Sequence, residues 1–95
     1  MSEGEAAPHR APVLAVLVCH DGEAWLPLAL AALQRSSVRP ARIVAVDTGS
    51  GDRTPELLTE AAESATPIID AALTVGRDTG FAAAVAAGVR LAEET

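Results

Sequence analysis

Ile43-Val44-Ala45-Val46-Asp47-Thr48-Gly49-Ser50-Gly51-Asp52-Arg53-Thr54 decides how this chain is read. An apolar run, Ile43 to Val46, ends on a carboxylate, and a Gly/Ser turn follows. Thr54-Pro55-Glu56 then carries the marks of a helix start: a hydroxyl that caps, a proline suited to the first helical position and an acid at the positive end of the helix dipole. The stretch predicts a short buried strand, Ile43 to Asp47, then a tight turn and a helix. Open α/β sheets gather ligand-binding groups at the carboxyl ends of their strands, where Asp47 would stand.

The flanking sequence repeats the alternation. Upstream, Val13 to Cys19 is a continuous apolar run that fits a strand buried on both faces. His20-Asp21-Gly22 breaks it. Glu23 to Gln34 has helical spacing, with Leu26, Leu30 and Leu33 on one face, Asp21 as the expected N-cap and Pro27 near the first turn. Ser36 to Pro40 reads as a loop. Downstream, Leu57, Leu58, Ala61 and Ala62 form the apolar face of the second helix, which Thr66-Pro67 ends. A third strand falls within Ile68 to Val75, and Gly76 to Gly80 is a turn. Phe81 to Glu93 is a third helix, with Phe81, Val85, Val89 and Ala92 on one side. The order βαβαβα implies right-handed crossovers and a parallel sheet. Met1 to Pro12, polar with Pro and Ala, reads as a disordered leader, and residues 13–95 as the domain.

Composition narrows the function. The chain has 95 residues, enough for one small domain, and a formal net charge of −6. That charge argues against non-specific nucleic-acid binding, which needs a basic face. Hydrophobic residues make up 49% and aromatics only 2%, so alanine supplies much of the apolar content. All basic residues are arginine. The single Cys19 rules out an internal disulfide and reads as core filler. No apolar run approaches the ~18 residues of a membrane span, and the N-terminus lacks the pattern of a signal peptide. These features lead to the expectation of an intracellular, soluble and cytoplasmic chain.

The topology brings three loops to one rim: His20 to Gly22, Asp47 to Asp52, and Gly76 to Gly80. Asp47 can accept hydrogen bonds from a nucleobase N–H or a ribose hydroxyl, or can cap the turn that follows it. Gly49-Ser50-Gly51 departs from the dinucleotide fingerprint, because Thr54 stands where its third glycine belongs, and a Walker loop needs a lysine that the chain lacks. Arg77 has the planar fork suited to a diphosphate, or pairs with Asp78 on the surface. His20 contacts a ligand or serves as a hydrogen-bonded structural residue. Neither His9 nor His20 has the company a metal site needs, and Ser50 has no His or Lys partner for nucleophilic catalysis.

Asp47-Thr48-Gly49-Ser50 after Val44-Ala45-Val46 also resembles the active loop of aspartic proteases, and Val75-Gly76-Arg77-Asp78 echoes a segment of the retroviral type. Those enzymes are dimers that share an Asp dyad. They are mainly β, whereas this chain is patterned with helices, carries no glycine-rich flap between the two segments, and has a short interval between them. A non-catalytic α/β binding module is a further alternative. A flavodoxin-like phosphoacceptor receiver would want a late lysine, which is absent.

Read in order, the segments resemble the start of a family-2 glycosyltransferase of the GT-A type. Val13 to Gly22 resembles its first strand and loop, and Trp25-Leu26 opens the helix as in many members. Val44 to Thr54 resembles its V-V-D-x-G-S-x-D-x-T segment, and Asp78-Thr79-Gly80-Phe81-Ala82-Ala83-Ala84 its N-x-G-F-x-x-A segment. The resemblance implies a truncated, Rossmann-like half of a GT-A domain that binds a nucleotide-sugar donor of the UDP or dTDP type. The nucleotide-binding candidates are Cys19, His20, Asp21, Asp47, Thr48, Gly49, Ser50 and Arg77. Thr48, Asp78 and Ala86 depart from residues common in the family. The family's D-x-D metal motif and its catalytic base are absent from this sequence. The expectation is therefore an N-terminal fragment, inactive and metal-free alone, of an actinobacterial-type parent. That parent would use Mn or Mg and transfer a sugar to a cell-envelope glycan or lipid at the inner face of the membrane. Contact with the membrane would come only through other parts of the parent. The exposed side of the first strand implies self-association.

Overall fold

The structure, a computed structural model, describes residues 9–95. Its elements are β1 (His9–Cys19), α1 (Leu26–Arg35), β2 (Val38–Thr48), α2 (Thr54–Glu63), β3 (Ala71–Val75) and α3 (Phe81–Glu94). The strands form one parallel sheet in the order β1-β2-β3, the expected α/β architecture. Most of the leader expected over residues 1–12 lies outside the described residues, but His9 to Ala11 pair with Val38 to Pro40. Both strands are thus longer than the apolar runs suggested. Pro12 falls in the register irregularity between Ala11 and Leu14, where a missing ladder donor is tolerated.

β2 is the central strand, and Ile43 to Thr48 are all buried. The two-residue period of a strand divides them between two layers. Ile43 and Ala45 join Cys19, Leu26, Leu30, Leu58, Ala61 and Ile69 in a core beneath α1 and α2. On the other face α3 packs across the sheet. There the expected apolar side of α3 needs correction. Phe81 is 73% exposed and Val89 is exposed too, whereas Ala84, Ala87 and Gly88 are the buried positions. Close approach explains it: a Cβ on Gly88 would sit 2.6 Å from Val16 Cγ1 and 3.2 Å from Val46 Cγ2. The helix turns its smallest residues to the β-branched sheet.

Among the described residues, β1 pairs with β2 on one side only. It was expected to be buried on both faces. Instead Val13 and Leu14 are exposed and Ala15 to Val18 are half-buried. Beside its outer edge runs an apolar cleft of about 550 Å³, lined in part by Val16, Val18, Trp25, Ala29 and Leu33. No helix among the described residues is long and apolar enough to cross a membrane.

The Gly88 contact yields a test. Gly88→Val should destabilise the chain by about 1–3 kcal/mol through overpacking. Gly51→Ala, where an added Cβ meets nothing within 4 Å, should stay within about 0.5 kcal/mol of wild type. Urea unfolding followed by circular dichroism measures both, and equal midpoints would remove the close approach of α3.

Candidate functional site

The carboxyl ends of the strands bring the predicted loops together. Cys19 and Thr74 are the register partners of Asp47 on the two neighbouring strands, so the carboxylate stands mid-sheet. Only 1% of Asp47 is exposed. Burying a carboxylate is costly unless it is hydrogen-bonded, and Ser50 supplies the donors. The Ser50 hydroxyl donates to Oδ1, and the Ser50 backbone N–H donates to Oδ2 at 3.2 Å.

The turn after β2 is stitched to the loop after β1. Asp21 takes a left-handed backbone (φ 48°). Its N–H donates to Ser50 Oγ at 2.8 Å, and its Oδ1 accepts the Gly51 N–H at 2.8 Å. Gly22 N–H donates to Thr54 Oγ1 at 2.8 Å, Glu23 N–H to Asp52 Oδ2 at 3.0 Å, and Arg53 N–H to Glu23 Oε1 at 3.1 Å. Each loop uses its side chains to satisfy the backbone of the other. Asp21 therefore does not cap α1 as expected. That helix starts from Gly22, whose carbonyl accepts the N–H groups of Trp25 and Leu26.

Thr54 is the first residue of α2, and the residue that satisfies it is Asp52. Asp52 Oδ1 accepts from the Thr54 N–H at 2.9 Å and from its hydroxyl at 2.5 Å, an aspartate turn feeding the helix. The Thr54 hydroxyl bond, and then the Thr54 and Glu23 N–H groups, hold the Asp52 carboxyl below its ordinary value of 3.8.

His20 is tied to Thr48. Its Nδ1 lies 2.9 Å from the Thr48 carbonyl oxygen and 3.1 Å from the Thr48 hydroxyl, which itself donates to the Cys19 carbonyl at 3.2 Å. Its Nε2 lies 3.3 Å from Asp21 Oδ2, an ion pair when the ring is protonated. Thr48 is buried, so its hydroxyl joins strand ends and faces no open space. Burial, and then the charge of Asp47, push the Cys19 thiol up to about 11, so it is neither exposed nor nucleophilic at neutral pH.

The third loop meets the second at Gly49. This glycine has φ +67°, and a Cβ there would lie 2.7 Å from the Arg77 backbone nitrogen. A side chain would strain the turn and push the loops apart. Arg77 is exposed, and among the described residues it forms no ion pair with Asp78. The cluster thus unites Cys19, His20, Asp21, Asp47, Thr48, Gly49, Ser50 and Arg77, with Cys19 and Thr48 inside it as supports. Sequence reasoning placed Gly22 and Asp52 in the converging loops without giving them a role, and did not place Glu23 and Thr54 there. The Asp52-x-Thr54 spacing is an Asx-turn signal that identifies the local half. The partnership with Gly22 and Glu23 has no signal along the chain. Among the described residues no group of three or more His, Cys, Asp or Glu is placed to hold a metal ion.

A parallel three-stranded sheet, helices on both faces and loops gathered at the strand ends define a Rossmann-like α/β unit. Residues 15–94 match glycosyl transferase family 2, and the chain belongs to that family. No curated protein and no solved structure gives a significant match. Fold and family give the aspartic-protease reading no support: Asp47-Thr48-Gly49-Ser50 ends a central parallel strand.

The depressed Asp52 carboxyl sets a pH signature. Its stabilisation is present above the unfolded value, about 3.9, and is lost as pH falls through the lower folded value. Asp52→Asn should therefore lower the urea midpoint at pH 7, and the gap to wild type should close as pH falls below about 4. A gap independent of pH would assign the effect to packing and not to the carboxylate.

Proposed function

We propose that this chain binds the nucleoside diphosphate portion of a nucleotide-sugar donor, of the UDP or dTDP type, at the rim where its three loops meet. The observation that carries the reading is the position of Asp47. It is an acceptor-only carboxylate at the carboxyl end of the central strand, in a chain of glycosyl transferase family 2. Asp47 accepts an N–H of the base or a ribose hydroxyl. Arg77, exposed and carried beside Gly49, faces the diphosphate, where a guanidinium matches phosphate geometry.

His20 and Asp21 shape the wall of the site, and the cross-loop hydrogen bonds keep it in register. The parent reaction is transfer of the sugar to an acceptor such as a cell-envelope glycan or lipid, on the cytoplasmic side of the membrane. The divalent Mn or Mg that the family implies finds no ligand set among the described residues. In this reading the chain contributes donor binding and no catalytic group. The one-sided pairing of β1, beside its apolar cleft, supports self-association of the chain.

Calorimetric titration of UDP into the chain tests the site. Asp47→Ala should weaken binding by roughly 1.5–3 kcal/mol, the worth of a hydrogen bond to a charged group. Arg77→Ala should weaken UDP and leave uridine unchanged. Circular dichroism checks that both variants are folded. Folded variants with wild-type affinity would remove these residues from the site.

Light scattering on the same samples addresses association. A monomer at every concentration would remove the self-association reading.

A further inference from the structure

Asp47 is the group that the proposed base contact requires, yet both of its carboxylate oxygens are engaged by one residue. The Ser50 hydroxyl donates to Oδ1 and the Ser50 N–H to Oδ2. Asp47 is 1% exposed, so a ligand reaches its carboxylate only after a neighbouring group moves. A hydroxyl has one proton to give and lone pairs with which to accept. The Ser50 proton is committed to Asp47, and its oxygen accepts the Asp21 N–H at 2.8 Å. The two bonds open together. Rotation about Cα–Cβ carries the hydroxyl off Asp47 and away from the Asp21 N–H, while the Ser50 backbone N–H stays on Oδ2.

We infer that Ser50 is a latch on Asp47: the free chain holds the carboxylate in an internal hydrogen bond that a nucleobase N–H must displace. The inference rests on the donor-site reading above and adds to it how that site is regulated. Binding exchanges one charge-assisted hydrogen bond for another, so part of the ligand's interaction is spent on release. The Ser50 backbone N–H stays on Oδ2 throughout, which keeps the carboxylate oriented during the exchange. The anchor from Asp21 links the latch to the loop after β1, so this loop holds the closed state in place. Ser50 is on this account a positioning residue that competes with the ligand, and not a ligand contact.

The sign of the effect separates the two roles. A residue that contacts the nucleotide, or that only holds the turn, lowers affinity when it is truncated. A latch raises it. Ser50→Ala should bind UDP about tenfold more tightly than wild type, a gain equal to 1.4 kcal/mol, while unfolding at lower urea.

Ser50→Cys keeps a weak donor of similar shape and should fall between the two. It carries the test if Ser50→Ala does not fold. The gain should vanish with 3-methyl-UDP, whose base has no N3–H to offer, and in the double variant Asp47→Asn, Ser50→Ala.

Isothermal titration of the 95-residue chain and its variants reads all of these affinities. If wild type binds UDP and both Ser50 variants bind equally or more weakly, the latch is overturned and the donor site stands. If no protein binds UDP, the donor-site reading fails and the latch falls with it.

Discussion

The backbone N–H groups of two loops at the carboxyl end of the sheet need partners, and the way they find them organises this molecule. The loops after β1 and β2 cannot pair as strands or helices there. Each instead borrows side-chain oxygens from the other: Asp21 serves Gly51, Asp52 serves Glu23, Thr54 serves Gly22, Glu23 serves Arg53, and Ser50 serves Asp21. A buried or half-buried amide without a partner costs about as much as a lost hydrogen bond. The Gly22–Thr54 bond is the buried one, so separating the loops would leave the Gly22 N–H unpaired, while the other four bonds lie at the exposed rim. The arrangement fixes where α1 begins, how α2 begins and where the turn carrying Ser50 rests against Asp47.

The central position of β2 explains the tension at the site. Its apolar residues are buried from both sides, and the strand carries its last residues, Asp47 and Thr48, into the same low-access environment. A carboxylate there must be compensated locally, and Ser50 compensates it. The same charge, added to burial, keeps the neighbouring Cys19 thiol protonated. In the donor-site reading, a group held so well in the free chain is oriented for recognition but not immediately available. Stability of the turn and access to its carboxylate oppose each other, a familiar conflict where a functional group is buried.

Alanine and glycine give the other layer its character. α3 approaches the sheet closely because Ala84, Ala87 and Gly88 face it, and larger side chains such as Phe81 turn outward. This contact is built from backbone proximity and not from bulky side chains. The larger aliphatic side chains concentrate beneath α1 and α2, where Leu26, Leu30, Leu58 and Ile69 meet β2.

Much of the fold was legible in the sequence because periodicity is a local property. Val13 to Cys19, Ile43 to Asp47 and the helical stripes of α1 and α2 each announce their element within a dozen residues, and their alternation implies a parallel sheet. The set of loops that meet followed from topology alone. Strand ends around Pro12 and Pro40 were not legible, because polar, proline-flanked residues become strand only through a partner across the sheet. The buried face of α3 was not legible, because the sequence shows only that Phe81, Val85, Val89 and Ala92 share one side, whereas the distance between helix and sheet selects the smallest residues.

Within the site, the sequence by itself determined that a carboxylate ends the central strand and that a glycine-rich turn follows. The sequence offered capping of the following turn as one role for this carboxylate, and the tertiary structure decided for it, through Ser50. Only that structure decided that Asp21 serves the second loop instead of capping its own helix, and that Glu23 and Thr54 belong to one cluster. The physical reason is that hydrogen-bond partners about thirty positions apart leave no periodic trace. Their pairing depends on loop geometry, which exists only once the sheet has formed.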